Sequence, residues 1–164
     1  MKELFIKKKQ KKTKIVINDN IITAYGPLGQ LSYKIPAKIS YKNKKLFIAE
    51  NNFNFFCNKI NKLIKSVTSG WYLELNLNGL GYKAFRLNDK IALDLGYSNL
   101  IIYKPTDNIK INNFKNKIIL FSLDQEYLYN VGFTIKQYSM PDPYKGKGIL
   151  RKNEIIKLKK KARS

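Results

Sequence analysis

The sequence predicts an α+β fold with two duplicated small domains, each a mostly antiparallel sheet packed with one helix, and a basic C-terminal extension. Apolar and polar residues alternate over most of the chain, as in β-strands, and two stretches carry an apolar stripe at helical spacing. Several strands precede each predicted helix, which favours antiparallel sheets. Similar segments recur about seventy residues apart, because "YKIP" and "NKKLFI" precede the first helix and "YKP" and "NKIILF" precede the second.

Four segments are expected along the 164 residues, a length that suits one domain or two small ones. They are a basic N-terminal arm over residues 1–14, a first α+β domain over 15–69, a second α+β domain over 70–139, and a basic loop and tail over 140–164. The boundary near residue 70 follows from the point at which the pattern of strands and helix starts again.

The first domain is predicted to contain four short strands followed by a helix. The strands are residues 13–18, 21–25, 31–35 and 45–49, where apolar and polar residues alternate. The turn "GPLGQ" separates two of them, since glycine permits positive φ and proline restricts φ beside it. A helix over residues 53–69 is predicted because Phe56, Ile60, Leu63, Ile64 and Val67 form one apolar stripe. Gly70 is predicted to end this helix.

The second domain is predicted to repeat this order with more strands. The strand candidates are residues 71–77, 81–87, 90–95, 101–104, 109–111 and 117–121. Ser122 and Gln125 have the spacing of a capping box, which predicts that a helix begins there. The apolar face of that helix is Leu128, Val131, Ile135 and Tyr138. Gly132 lies on or near this face, and close packing of helix on sheet is the expected reason for a residue that disfavours helices.

Positive charge is the dominant feature of the composition. The chain has 32 lysines and arginines against 11 acidic residues, for a formal net charge of +21, and residues 1–14 and 134–164 together hold +14 of it. A folded centre with two basic ends is typical of proteins that bind a phosphate backbone. An anionic membrane surface is the alternative polyanion, but that class needs one long basic amphipathic helix. No small-molecule substrate is indicated.

The residue types exclude several kinds of chemistry. Histidine is absent and Cys57 is the only cysteine, so disulfides within the chain and zinc sites of the Cys/His type are excluded. The usual general base near neutral pH is missing, and no phosphate-binding loop or paired carboxylates are visible. No apolar run approaches the roughly 18 residues that span a bilayer, and no signal peptide is recognisable. We therefore expect a protein that is not an enzyme and has no cofactor, no metal and no membrane partner.

The segment "SMPDPYKGKGI" is the strongest candidate for a binding loop. Pro141 and Pro143 restrict the backbone, so the loop loses little entropy when it binds. Gly146 and Gly148 are predicted to let a sugar–phosphate strand approach the main chain and its N–H groups. The other predicted contacts are Tyr144, Lys145 and Lys147, followed by Arg151, Lys152, Lys157, Lys159, Lys160 and Lys161. The alternative interpretation is an ordinary linker between helix and strand that happens to be basic.

Three ordered motifs resemble a known family. "PDPYKGKGI" resembles the C-terminal signature of the large-subunit ribosomal protein six family, of the bacterial and organellar type. "ITAYGPLGQLSY" is similar to the hairpin of that family's first domain, and "LNGLGYKAFRLNDKIALDLGYS" to the core of its second. The family signature commonly continues with arginine and an aromatic residue, whereas here Leu150 precedes Arg151. The basic start over residues 1–14 matches no family feature.

The resemblance implies two duplicated α+β domains without catalysis. It implies a structural component that binds large-subunit ribosomal RNA near the sarcin–ricin loop and the translation-factor site, beside neighbouring ribosomal proteins. Within the family the second domain and tail make most of the RNA contact. That carries over to Tyr144, Lys145, Gly146, Lys147, Gly148, Arg151 and Lys152, and then to the tail from Lys157.

The amino-acid composition suggests a cellular location, and the absence of catalytic motifs bears on the alternative function. Isoleucine, lysine and asparagine make up 68 of the 164 residues. These amino acids have A/T-rich codons, which suggests a chain encoded in an organelle, most simply a mitochondrion, with a plastid or the bacterial cytoplasm as alternatives. The alternative function is a free-standing RNA-binding or RNA-modifying factor, although a modifying enzyme would need a cofactor loop or catalytic residues that are not visible.

Overall fold

The chain divides into two compact units. The structure, a computed structural model, describes residues 2–5, 13–18, 21–34, 39–42, 45–48, 53–88, 90–105 and 108–159. The units are Met1–Gly70 and Trp71–Ser164. Among the residues just given, every strand pair is antiparallel and each unit contains one α-helix, which confirms the predicted α+β class.

The described strands of the first unit form two three-stranded sheets before its helix. The elements are β1 (Lys2–Phe5), β2 (Lys14–Asn18), β3 (Ile21–Gly26), β4 (Gly29–Lys34), β5 (Ile39–Lys42), β6 (Lys45–Ile48) and α1 (Phe53–Thr68). The strand orders are β1-β6-β5 and β2-β3-β4. β1 and β5 were not predicted; each is a strand of four residues that pairs with β6. The rest of the predicted N-terminal arm up to residue 12 lies outside the described residues.

Helix α1 packs the predicted apolar stripe against β3. One buried cluster joins Ile22 with Phe56 and Ile60, and a second joins Ala24 with Leu63 and Val67. Gly70 ends the helical segment as predicted: it has φ +67°, and its N–H lies 3.1 Å from the carbonyl oxygens of both Lys65 and Ser66. Only a residue that tolerates positive φ closes the helix in this way.

The second unit contains two sheets that differ in size. Its described elements are β7 (Trp71–Asn78), β8 (Lys83–Leu87), β9 (Lys90–Asp94), β10 (Ile101–Tyr103), β11 (Lys110–Phe114), β12 (Lys117–Ser122), α2 (Gln125–Gln137) and β13 (Gly148–Arg151). The strand orders are β10-β9-β8 and β11-β12-β7-β13. The core lies between these sheets and α2, and its fully buried members include Leu75, Ile91, Leu93, Ile118, Leu120 and Ile135.

The N-terminal cap of the second helix lies two residues after the predicted one. Ser122 is the last residue of β12 and is buried, whereas Asp124 is the N-terminal cap. The Asp124 side chain accepts hydrogen bonds from the backbone N–H groups of Glu126 at 2.9 Å and Tyr127 at 3.3 Å. The capping-box prediction at Ser122 was therefore wrong, because the carboxylate nearer the helix satisfies the free N–H groups of its first turn.

Gly132 confirms the prediction of close packing between helix and sheet. A Cβ atom built on Gly132 would lie 2.1 Å from Leu73 Cδ2, so any larger residue would displace a buried leucine of β7. The cost of a glycine inside α2 is thus linked to the close approach of the helix to the strand that carries the core.

Candidate nucleic-acid interface

Asp142 organises the predicted binding loop, residues 140–147, into a closed turn. Its backbone N–H donates to the carbonyl oxygen of Lys147 at 2.8 Å, and its own carbonyl oxygen accepts from the Gly146 N–H at 2.9 Å. Its side-chain Oδ1 accepts from the Tyr144 N–H at 2.8 Å. Gly146 has φ +67°, a conformation in which glycine carries little strain. The loop is therefore held by its own hydrogen bonds.

The two ends of the loop are fastened together at Gly148. The Ile149 N–H donates to the carbonyl oxygen of Ser139 at 2.9 Å. Gly148 is buried with φ +135°, and a Cβ atom there would lie 2.6 Å from Pro141 Cα. The sequence predicts that the missing side chain of Gly148 lets an RNA strand approach the main chain. The space beside its Cα is instead occupied by the proline main chain, and β13 begins at this residue.

The loop offers side chains outward, and the main-chain N–H groups of Asp142, Tyr144 and Gly146 are already hydrogen-bonded within it. Tyr144 is 53% exposed, and Lys145 and Lys147 are exposed beside it. The N–H of Gly146 is already donated to Asp142, so the predicted contact between phosphate and that main-chain group is not available. The side chains that the loop offers to a ligand are one phenol ring and two ammonium groups on a turn of fixed shape.

The basic tail returns to this loop. The Lys159 N–H donates to the carbonyl oxygen of Pro143 at 2.9 Å. A Cβ atom on Gly146 would lie 3.3 Å from Leu158 Cδ2, so the tail also packs against the turn. Lys157 and Lys159 are both exposed and lie on this segment. The structure therefore brings these two lysines to the loop, whereas the predicted contacts Lys160 and Lys161 lie outside the described residues.

Arg151 and Lys152 lie apart from the loop, on opposite faces of the four-stranded sheet. The Arg151 guanidinium lies over the Tyr129 ring of α2, 5.5 Å from the ring centre. Lys152 points to the other face, where its Nζ is 2.8 Å from Glu74 Oε2. Successive residues of a strand point to opposite faces, so one ligand on a single face of this sheet would meet only one of these two cations.

Glu154 fixes the start of the tail. Its Oε2 accepts a hydrogen bond from the Arg151 N–H at 3.1 Å, and its Oε1 pairs with Lys136 Nζ of α2. The hydrogen bond from Lys136 and then the one from Arg151 lower the pKa of the Glu154 carboxyl below its usual value. This carboxylate therefore stays ionised near neutral pH and ties the tail to α2.

Sequence reasoning missed a second group of polar and aromatic residues, on the face of the four-stranded sheet that Lys152 also reaches. The Glu74 carboxylate accepts hydrogen bonds from Lys152 and from Lys117, the latter at 3.2 Å. These two hydrogen bonds lower the pKa of the Glu74 carboxyl. Tyr72 and Phe121 pair across the strands at the same face. The signal in the sequence was the polar side of the alternation in "WYLELNL", which was used only to predict a strand.

The described residues contain little that would support other chemistry. They include no group of three or more histidine, cysteine, aspartate or glutamate side chains that could hold a metal ion. Burial raises the pKa of the half-buried Cys57 thiol, which keeps it protonated. Over the same part of the chain, no helix has the length and apolarity needed to cross a bilayer.

Comparison with known proteins identifies the family. No protein-family model matches the chain. It is 33% identical over 156 residues to large ribosomal subunit protein uL6 of Hydrogenobaculum sp., covering 89% of this chain and 86% of that protein. The uL6 protein of Persephonella marina is 36% identical over 150 residues, with 85% and 84% covered. That of Spiroplasma citri is 34% identical over 153 residues, with 87% and 86% covered. The resemblance read from the motifs is thus confirmed, and the chain belongs to the uL6 family of large ribosomal subunit proteins, as a structural constituent of the ribosome that is not an enzyme.

Proposed function

We propose that this chain binds large-subunit ribosomal RNA near the sarcin–ricin loop and the translation-factor site, through its second unit and basic tail. The observation that carries the proposal is the closed turn at Asp142, which presents Tyr144, Lys145 and Lys147 outward and receives the tail at Lys159. Neighbouring ribosomal proteins are the other proposed partners.

Rigidity is what makes this turn suited to RNA. A mobile lysine loses side-chain and backbone entropy on binding, whereas a loop whose backbone is already hydrogen-bonded loses less. Lys145 and Lys147 neutralise phosphates, and the exposed ring of Tyr144 can stack on an unpaired base or donate its hydroxyl to a phosphate. Lys157 and Lys159 extend the same positive surface along the tail.

The test compares two double variants in RNA binding at several salt concentrations. Lys145→Ala with Lys147→Ala is expected to lower the slope of log affinity against log salt by about two, since each lysine that contacts a phosphate contributes about one. The control is Lys83→Ala with Lys90→Ala, which removes the same charge from exposed lysines of β8 and β9. An unchanged slope in the loop variant, or an equal change in both variants, would contradict the proposal.

We also propose that the ribosome in question is mitochondrial. The support is the excess of isoleucine, lysine and asparagine, 68 of 164 residues, which points to an A/T-rich genome of the kind common in organelles. Mass spectrometry of large subunits from purified mitochondria of the source cells is expected to recover the chain. Recovery only from plastid ribosomes, or only from the ribosomes of a bacterial cytoplasm, would overturn this location.

A further inference from the structure

The outer face of the sheet β11-β12-β7-β13 is unlike the face that α2 covers. Cross-strand partners point to the same side, and the register places Lys110 opposite Phe121 and Phe121 opposite Tyr72. In the same way Phe114 lies opposite Lys117. The residues between them along the strands, including Leu73, Leu75, Ile118 and Leu120, are buried in the core. Three aromatic rings therefore share one solvent-facing surface with lysines.

Two of the three aromatic residues on this face are largely exposed, and Phe121 is half-buried. Tyr72 is 68% exposed and Phe114 is 61% exposed. The rings of Tyr72 and Phe121 lie 4.8 Å apart at a tilt of 44°, so they form a pair that holds its position. Single exposed aromatic residues are ordinary, but several on one face of a sheet indicate a binding surface.

The charge on the outer face favours an anionic partner. The face carries three lysines, Lys110, Lys117 and Lys152, and one acid, Glu74. Glu74 bonds two of the lysines and is itself only 16% exposed, whereas the side chains of Lys117 and Lys152 are 56% and 66% exposed. The carboxylate fixes the position of both ammonium groups without neutralising the surface.

We propose that this outer face binds unpaired RNA bases, with Tyr72, Phe121 and Phe114 as stacking surfaces and Lys110, Lys117 and Lys152 as phosphate contacts. Exposed aromatic side chains on one face of a four-stranded antiparallel sheet are a known arrangement for stacking two or three bases of single-stranded RNA. Phe114 lies two rows of same-face residues from the Tyr72 pair, about 13 Å along the strand direction. The surface can therefore hold more than one nucleotide at once.

RNA fits this surface better than a protein partner does. Asn112 and Glu74 lie on either side of Ile119 in the row between the two aromatic positions, so polar side chains interrupt the continuous apolar centre that protein interfaces have. Lysine is also depleted in such centres, whereas alternating cations and rings match alternating phosphates and bases. The proposal rests on the proposed function in taking ribosomal RNA as the polyanion, but the loop at Asp142 has no part in it.

The test measures binding of the full chain to a fluorescent oligouridylate of ten nucleotides. Tyr72→Ala with Phe114→Ala is expected to weaken binding by about 10- to 100-fold, because stacking on an aromatic ring is worth that much for one or two bases. The salt slope is expected to remain the same, since no cation is removed. Phe85→Ala with Phe133→Ala removes two exposed aromatic residues from other surfaces of the second unit and is expected to leave affinity unchanged.

Two further variants keep the result interpretable. Phe114 is the last residue of the edge strand β11, so Phe114→Ala alone leaves the core intact. This single variant is expected to bind the oligouridylate about 5-fold more weakly. Tyr72→Phe with Phe114→Tyr keeps both rings and is expected to bind as the parent does. Oligouridylate affinity that is indifferent to all of these changes would overturn the proposal and leave a protein partner for this face.

The loop variant separates the two proposals. If Lys145→Ala with Lys147→Ala changes the salt slope on ribosomal RNA while the aromatic variants change nothing, the outer face is excluded and the proposed function stands. If the aromatic variants lose oligouridylate affinity while the loop variant keeps its salt slope, the outer face is supported and the loop is excluded. The proposal would also be overturned if the Phe85 and Phe133 control lost as much oligouridylate affinity as the Tyr72 and Phe114 variant.

Discussion

Gly148 shows how one residue can be recognised correctly for the wrong reason. The motif around it resembles the signature of a ribosomal family and predicts that the glycine lets an RNA strand approach. Its φ of +135° and the 2.6 Å separation between a built Cβ and Pro141 Cα show that packing of the loop ends requires it. The letters of a motif do not reveal which contact needs the small residue, because that contact lies seven positions away along the chain.

Substitution at the two loop glycines is expected to have unequal effects on stability. Gly148→Ala is expected to lower the free energy of unfolding by about 3 kcal/mol, since it adds both backbone strain and a clash with main-chain atoms. Gly146→Ala is expected to cost about 1 kcal/mol, because its φ is left-handed but its neighbour is the mobile end of Leu158. Urea titration of both variants measures the difference. Equal losses would contradict the account of Gly148.

Glu74 holds two of the lysines that we propose as phosphate contacts. Glu74→Gln keeps the shape of the side chain but removes the charge that holds Lys117 and Lys152. We expect tighter RNA binding, by about 3- to 5-fold at low salt, because the face gains one unit of net positive charge. Asp94→Asn, at a half-buried acid of β9, is the control for loss of one acid and is expected to change affinity less. Weaker binding by the Glu74 variant would show that the acid itself contributes to recognition.

Acid should weaken the contacts of Glu74 and Glu154. Hydrogen bonds from lysine lower the pKa of both carboxyls in the folded chain. A depressed folded-state pKa contributes stability that is complete above the ordinary carboxyl pKa and is lost as pH falls through the depressed one. The difference in unfolding free energy between the parent and Glu74→Gln with Glu154→Gln is therefore expected to be largest near neutral pH and to shrink in acid. If the difference in unfolding free energy were the same at neutral and at acid pH, the lowered pKa values of Glu74 and Glu154 would be contradicted.

At the scale of elements, periodic patterns were predictable and junctions were not. The stripe of α1 and the alternation in β7 each reflect burial of one face, and both elements formed where expected. The start of α2 was misplaced, because Ser122 and Asp124 are both good caps and the choice depends on where β12 ends. β13 was missed altogether, because a glycine-initiated strand of four residues acquires its pairing from β7 and not from its own sequence.

The cap of α2 offers a direct check on this correction. Asp124→Ala is expected to lower the free energy of unfolding by about 1 kcal/mol, because the N–H groups of Glu126 and Tyr127 lose their acceptor. Thr134→Ala, at a half-buried position of the same helix whose hydroxyl bonds only the Asn130 carbonyl oxygen, is expected to change the free energy of unfolding less. Thermal unfolding of the two variants measures the difference in stability. If the Asp124 variant were as stable as the Thr134 variant, Asp124 would not be the cap of α2.

For the whole molecule, composition and ordered motifs together were enough to predict the family. Net charge, the absence of histidine and three ordered motifs led to the ribosomal family that the relatives confirm. The outer face could not be predicted from the sequence, because it is formed by β7, β11 and β12, which become neighbours only when the strands pair. Charge patterning therefore predicted RNA as the partner, while strand register indicates which side chains the RNA would meet.

The central claim is that two surfaces of the second unit, the Asp142 loop and the outer sheet face, contact RNA in the assembled particle. Ultraviolet crosslinking of intact large subunits, followed by mass spectrometry of nucleotide-bearing peptides, tests it most directly. We predict crosslinks on a peptide containing Tyr144 and on one containing Tyr72 or Phe114. Crosslinks confined to the first unit, with neither of these peptides modified, would contradict the claim.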